Sequence, residues 1–367
     1  MNRSMNLMFL LVVFVLGGCG TAPVPAPAPP APPAGVEEGD YAVVQTFFAT
    51  DRNLEEGRLG EVGFGGERSD IRYGRCYVSI PRDHRMGELE SPSILRLEFR
   101  QDPVKHVVLL ETELQARDRF FSAIREEVEA SSGKKAFVFV HGYNVSFEDA
   151  ARRSAQMAYD LGFDGAPVFY SWPSRGKPQA YVVDGQNAEW SEANLARFLS
   201  AFFQESEAEK VYLIAHSMGS RILSRALISA MQDDPAIGER VEEVIFAAPD
   251  IDAQVFAEDI MPRIVSRVSP VTLYASSNDL ALAASRQVHG GYSRAGDTAK
   301  GVVVLDGLET IDASYVETGF NGHSYFADNR SILSDMFYLI GTGARASHRF
   351  GLTEVDAEDQ VYWQFKR

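Results

Sequence analysis

From about residue 113 onward, short apolar runs alternate with longer stretches whose apolar residues recur every three to four positions. The runs 136–140, 167–171, 211–215, 244–247, 271–274 and 302–305 have the length and β-branched content of buried strands. The stretches 113–130, 147–161, 191–203, 219–231 and 330–339 carry the apolar stripe of helices. Ahead of them, residues 41–48, 76–80, 94–99 and 106–110 alternate apolar with polar positions, which predicts short, half-buried strands separated by turns. Strand–helix alternation implies a mainly parallel sheet with helices on both faces, in one domain over residues 36–367. Function in such sheets gathers at the carboxyl ends of the strands. Segment 171–190, with Trp172, Tyr181 and Trp190, is longer than an ordinary strand–helix loop. It is expected either to wall a pocket as a lid or to be packed down by its aromatics.

The chain begins differently. Arg3 precedes an apolar run over 7–16 that ends in Gly17, Gly18 and Cys19. At about ten residues the run is too short to span a bilayer and has the length of a signal-peptide core. Leu16-Gly17-Gly18-Cys19 resembles the lipobox of bacterial lipoproteins, in which the cysteine is lipidated and becomes the mature N-terminus. Residues 1–18 are therefore expected to be a signal peptide and Cys19 a lipid anchor. The following stretch to Gly35 is dominated by Pro and Ala. Proline removes backbone donors and fixes φ, so residues 19–35 read as an extended tether, reaching roughly 45 Å at ~3 Å per residue. Gly20 after Cys19 resembles the outer-membrane-directed pattern, which places the protein on the periplasmic side of that membrane in a Gram-negative cell. With Cys19 lipidated, Cys76 has no intrachain partner and reads as a small buried apolar residue.

Composition narrows the partners. The formal charge is −16, from 35 basic and 51 acidic residues, and the acidic residues are spread along the chain. Nucleic acid and anionic headgroups select basic patches, so neither is expected as a partner, and contact with the membrane is expected through the anchor only. Paired C-x-x-C, H-E-x-x-H and P-loop patterns do not occur, so no metal or cofactor is expected.

The chemistry is carried by a few loops. The apolar run 211–215 leads into His216-Ser217-Met218-Gly219-Ser220 and then a helical stripe, the strand–turn–helix context of a nucleophile elbow. So sharp a turn needs small residues two places before and two after the serine, here Ala215 and Gly219, with Ala215 in place of the usual glycine. Adjacent side chains diverge on such a turn, so His216 reads as packing or as a support to the residues of the site. A second apolar run ends in His141-Gly142-Tyr143-Asn144, where glycine lets the chain approach a reacting group closely. An oxyanion needs backbone N–H donors already aimed at it, and those of Tyr143 and Met218 are the expected pair. A serine is a poor nucleophile until a histidine takes its proton and a carboxylate orients that histidine. The usual chain order after such an elbow is serine, acid, histidine. Asp279, in the polar loop Ser276-Ser277-Asn278-Asp279, is the preferred acid, with Asp250 and Asp252 as competitors. Asp250 also suits a helix-start cap. His323 is the preferred base, with His289 as competitor.

These segments, together with Phe48-Ala49-Thr50-Asp51-Arg52, Tyr77-Val78-Ser79-Ile80-Pro81, Tyr170-Ser171-Trp172-Pro173-Ser174 and Ala248-Pro249-Asp250-Ile251-Asp252, resemble a bacterial family of uncharacterised α/β-hydrolases of esterase or lipase type. The resemblance runs from about residue 41 to the C-terminus. It implies an α/β-hydrolase fold with Ser217 and His323 catalytic, and it implies no substrate. The expected activity is hydrolysis of a small acyl ester. The alternative is a catalytically silent hydrolase fold serving as an envelope binding or scaffold lipoprotein.

Overall fold

The computed structural model describes residues 36–38, 40–56, 62–93, 97–316, 330–357 and 360–366. The chain separates into Met1–Pro30 and Ala31–Arg367. The expected signal peptide, Cys19 and the proline-rich tether lie outside the described residues, as does His323.

The second unit is built on one sheet of strands β1 (Val36–Glu38), β2 (Tyr41–Glu56), β3 (Val62–Pro81), β4 (Val108–Gln115), β5 (Lys135–Val140), β6 (Ala166–Ser171), β7 (Lys210–His216), β8 (Val241–Ala247), β9 (Val271–Ala275), β10 (Leu308–Asp312), β11 (Leu352–Ala357) and β12 (Gln360–Phe365). Their order across the sheet is β11-β12-β10-β9-β8-β7-β5-β6-β2-β3-β4, with β1 beside β2. Pairings from β12 to β2 are parallel, and the flanking β11–β12, β2–β3 and β3–β4 pairs are antiparallel. The fold is that of an α/β-hydrolase, and the mainly parallel sheet is as expected.

Why both faces are covered follows from the period of two along the central strands. Ala136, Val138 and Val140 of β5 enter one core, with helices α1 (Arg117–Ala130), α3 (Tyr181–Glu205) and α4 (Gly219–Asp233). Phe137 and Phe139 enter the other, with α2 (Phe147–Asp160) and the C-terminal Arg330–Thr342 helix. Short helices α5 (Ile237–Arg240), α6 (Ala253–Val255) and α7 (Met261–Val265), then α8 (Leu280–Val288), follow β7–β9, and the C-terminal helix is α9. Cys76, on β3, is fully buried, and burial pushes its thiol up.

Several expected boundaries move. The 113–130 helix starts only at Arg117, because residues up to Gln115 pair with β3 and Glu113 meets Arg75 at 2.7 Å across the strands. Of the expected strand 94–99, residues 94–96 lie outside the described residues and Leu97 and Phe99 stand exposed in a loop. The expected strand at 302–305 is replaced by β10, three residues past its end. A turn at Gly307 (φ 82°) brings Leu308–Asp312 into register with Val271–Ala275. Segment 171–190 is mostly not a loop, since α3 begins at Tyr181. Trp172 is fully buried and Tyr181 is bound by polar contacts, so these two aromatics pack the segment down. The C-terminal hairpin β11–β12 has no counterpart among the expected elements.

Candidate active site

Ser217 stands between β7 and α4 with φ of 52°, a left-handed conformation that costs a non-glycine residue about 1–3 kcal/mol and is held only where the surroundings enforce it. Here the Ser217 N–H donates to the Ala247 carbonyl at 2.9 Å, and the Ser217 carbonyl accepts from the Asp250 N–H at 3.2 Å. Both bonds tie the turn to the end of β8. The expected need for small neighbours is met at close quarters. A methyl at Gly219 would stand 2.3 Å from the His141 carbonyl oxygen and 2.6 Å from that of Val140. Ala215 is fully buried. The elbow is thus packed directly on the end of β5.

The same contact brings the second loop to the serine. A methyl at Gly142 would lie 2.9 Å from Cβ of Ser217 and 2.8 Å from Nδ1 of His216, so only glycine leaves room there. Tyr143 follows Gly142 at once, and Met218 follows Ser217. Among the described residues neither of their amide N–H groups has a hydrogen-bond acceptor. The Tyr143 hydroxyl donates to the Pro178 carbonyl, and its ring meets Tyr181 edge-on at 5.2 Å.

Behind this loop is a polar network to which the sequence reading assigns no role, although its side chains lie in the segments that carry the resemblance. Arg52, at the carboxyl end of the β2–β6 pairing, is almost fully buried. Its guanidinium donates to the carbonyls of Gly65 (2.9 Å), Ser174 (2.8 Å) and Val145 (2.8 Å), to Oγ of Ser171 (2.8 Å), and faces Nε2 of His141 at 3.3 Å. Burial pulls Arg52 down to about 10, still cationic at neutral pH. Burial, and then the Arg52 charge, push the His141 imidazole well below the usual histidine range, so that ring is neutral. Trp172 stacks on it with centroids 5.1 Å apart and donates its Nε1–H to the His141 carbonyl at 2.7 Å. The available signal is Asp51-Arg52, two charges closing an apolar alternating strand.

The competing acids have separate positions. Asp279 follows β9, is buried, and caps α8, one carboxylate oxygen accepting the Leu282 N–H at 2.9 Å. Asp250 is caged: Arg294 Nε (2.8 Å), Arg221 Nη2 (2.7 Å), Tyr181 OH (2.5 Å) and Ser285 Oγ (2.5 Å) all reach its carboxylate. Against the effect of burial, the two arginines hold its carboxyl below the usual range. The helix-start role expected of Asp250 belongs instead to Asp252, whose side chain accepts the N–H groups of Gln254 (2.9 Å) and Val255 (3.2 Å). The competing base His289 ends α8, with Nδ1 2.8 Å from the Ser285 carbonyl and its ring against Tyr181. The position of His323 lies outside the described residues.

A family model described as "Alpha/beta hydrolase of unknown function (DUF900)" matches residues 116–342. No curated protein sequence matches the chain. Among solved structures, lipase B of Aspergillus fumigatus is similar at 15% identity and a TM-score of 0.34, over 58% of this chain and 53% of the lipase. The chain thus spans about half the length of that protein. A hyperthermophilic esterase from Pyrobaculum calidifontis is similar at 14% identity and a TM-score of 0.33, over 83% and 85% of the two chains. A cutinase-like protein from Cryptococcus sp. is similar at 12% identity and a TM-score of 0.32, over 58% of this chain and 97% of its own. Likenesses this distant say nothing of substrate.

Proposed function

The chain belongs to the family of α/β-hydrolases of unknown function, and within that family we propose that it is a serine hydrolase cleaving carboxylic esters through Ser217, His323 and Asp279. The observation that carries the reading is the strained Ser217, held with φ of 52° at the strand–helix turn and facing Gly142. Strain of this kind persists where a side chain must be presented rather than packed. Ser217 Oγ attacks the ester carbonyl carbon while His323 takes the hydroxyl proton. The N–H groups of Tyr143 and Met218 receive the developing oxyanion. Collapse of the tetrahedral adduct expels the alkoxide, which His323 protonates, and water then releases the acid by the same steps in reverse. Asp279 orients His323. One of its oxygens accepts the Leu282 N–H at 2.9 Å, a bond that steadies the carboxylate at the start of α8. Asp250, committed to Arg221 and Arg294, suits the role less well.

A fluorophosphonate is expected to modify Ser217 alone, and Ser217→Ala to abolish hydrolysis of short- and medium-chain esters. Full turnover by the alanine variant refutes the mechanism, and a protein inert to both probe and esters favours a silent scaffold. The anchoring reading stands beside this one: Cys19 is lipidated and the protein faces the periplasm from the outer membrane, on the strength of Leu16-Gly17-Gly18-Cys19. Cys19→Ser should then leave the membrane fraction after a salt wash. Its retention there refutes the anchor.

A further inference from the structure

One peptide unit joins Gly142 to Tyr143. In a trans peptide the C=O and N–H point in opposite directions, so whatever holds the Gly142 carbonyl also aims the Tyr143 N–H. That carbonyl oxygen lies 2.8 Å from Nδ1 of His141, a hydrogen bond only if Nδ1 carries the proton. Which nitrogen carries it is decided on the other side of the ring. A guanidinium can only donate, so the Nε2 that faces Arg52 Nη2 at 3.3 Å must present a lone pair. Ser171 agrees with this: its Oγ accepts Arg52 Nε–H at 2.8 Å and lies 3.2 Å from His141 Nε2, leaving its own O–H to donate there. The same Arg52 Nη2 binds the Val145 carbonyl at 2.8 Å, so residues 142–144 are pinned at both ends by one group.

We propose that Arg52 fixes the Nδ1–H tautomer of His141, and that His141 in this form holds the Gly142 carbonyl so that the Tyr143 N–H is aimed into the oxyanion hole. Arg52 and His141 are positioning residues, and neither touches substrate. The inference rests on the oxyanion donor assigned above. It goes beyond that assignment by naming what sets the direction of the donor. Trp172 completes the device by stacking on the ring and holding the His141 carbonyl, so the imidazole cannot rotate out of the plane that reaches Gly142.

The test combines a spectroscopic readout with kinetics on the full-length protein. Imidazole 15N shifts should show His141 neutral with the proton on Nδ1, and Arg52→Met should lose that tautomer and shift the Tyr143 amide. In the same variant kcat for an ester substrate should fall about 10- to 100-fold with KM little changed, part of what a whole oxyanion donor is worth. His141→Asn, whose amide nitrogen can replace Nδ1, should retain more kcat than His141→Gln, whose amide reaches the Nε2 position. General loosening of the core is controlled by Arg349→Met, another buried arginine, bonded to Asp335 and Glu309 at 2.6 Å each. It should lower the melting temperature and leave kcat unchanged. An Nε2–H tautomer in the parent overturns the proposal. So does an Arg52→Met kcat equal to that of Arg349→Met, or equal rates for the Asn and Gln variants. A parent protein without esterase activity refutes the hydrolase reading instead, and the tautomer and the Tyr143 amide shift in Arg52→Met then decide the positioning claim.

Discussion

His84, in the loop after β3, is clamped between two carboxylates, and its protonation should be visible in the stability of the whole domain. Nδ1 lies 2.8 Å from Glu90 and Nε2 2.9 Å from Asp160 of α2, with only 2% of the side chain exposed. Burial pulls the imidazole down, but the hydrogen bonds and charges of Asp160 and Glu90 outweigh it and raise the group from 6.5 to about 9. A folded value above the unfolded one stabilises fully below pH 6.5 and ceases to do so as pH rises through 9. At about 1.36 kcal/mol per unit, the rise from 6.5 to about 9 is worth about 3 kcal/mol, more than half of it lost by pH 8. Removing the ring also leaves two buried carboxylates facing each other, so His84→Gln should be destabilised by about 3–5 kcal/mol at pH 5.5. Urea denaturation of parent and variant at pH 5.5, 8 and 10 reads out the titration of this clamp, since groups away from it cancel in the difference. The gap between the two should narrow by about 3 kcal/mol across the range. A gap that stays flat, or that widens as pH rises, refutes the reasoning, because it means that folding does not raise the affinity of His84 for its proton.

The two aspartates should separate cleanly. Asp250→Asn removes the charge facing two arginines in a buried cage and should cost about 3–5 kcal/mol in denaturant unfolding, well beyond the ~1 kcal/mol of a lost cap. Asp279→Asn should melt near the parent and lose up to about four powers of ten in ester turnover. The reverse pattern would make Asp250 the acid. Gly219→Ala should cost about 1–3 kcal/mol and displace the His141 strand end, with turnover falling more than about tenfold. An alanine variant with parental melting and parental kcat would mean that β5 and the elbow are not in the contact described.

Residues close in sequence determined a good part of this protein. The period of two in β5 and β7 and the period of 3.6 in α2 and α4 are local properties of the chain, and they place these two strands and two helices within a residue or two. The elbow was legible for the same reason, because a turn as sharp as that at Ser217 demands small residues at fixed spacing. Where an element depends on a distant partner, the local pattern misleads. Residues 302–305 are as apolar as a strand, yet pairing with β9 selects Leu308–Asp312, and the N-terminal turns of α3 lie within a segment that reads as a loop. The roles of the buried charges Asp250 and Arg52 were decided by tertiary structure. Nothing within a few positions of Asp250 announces that Arg221, Arg294 and Tyr181 converge on it from three other elements. Likewise Arg52 acquires its partners only when β2 is laid beside β6 and the 141–145 loop folds over their ends. A buried charge is tolerated only where its bonds are supplied, and for Asp250 and Arg52 most of those bonds come from residues 29 to 122 positions away, which no local pattern can record.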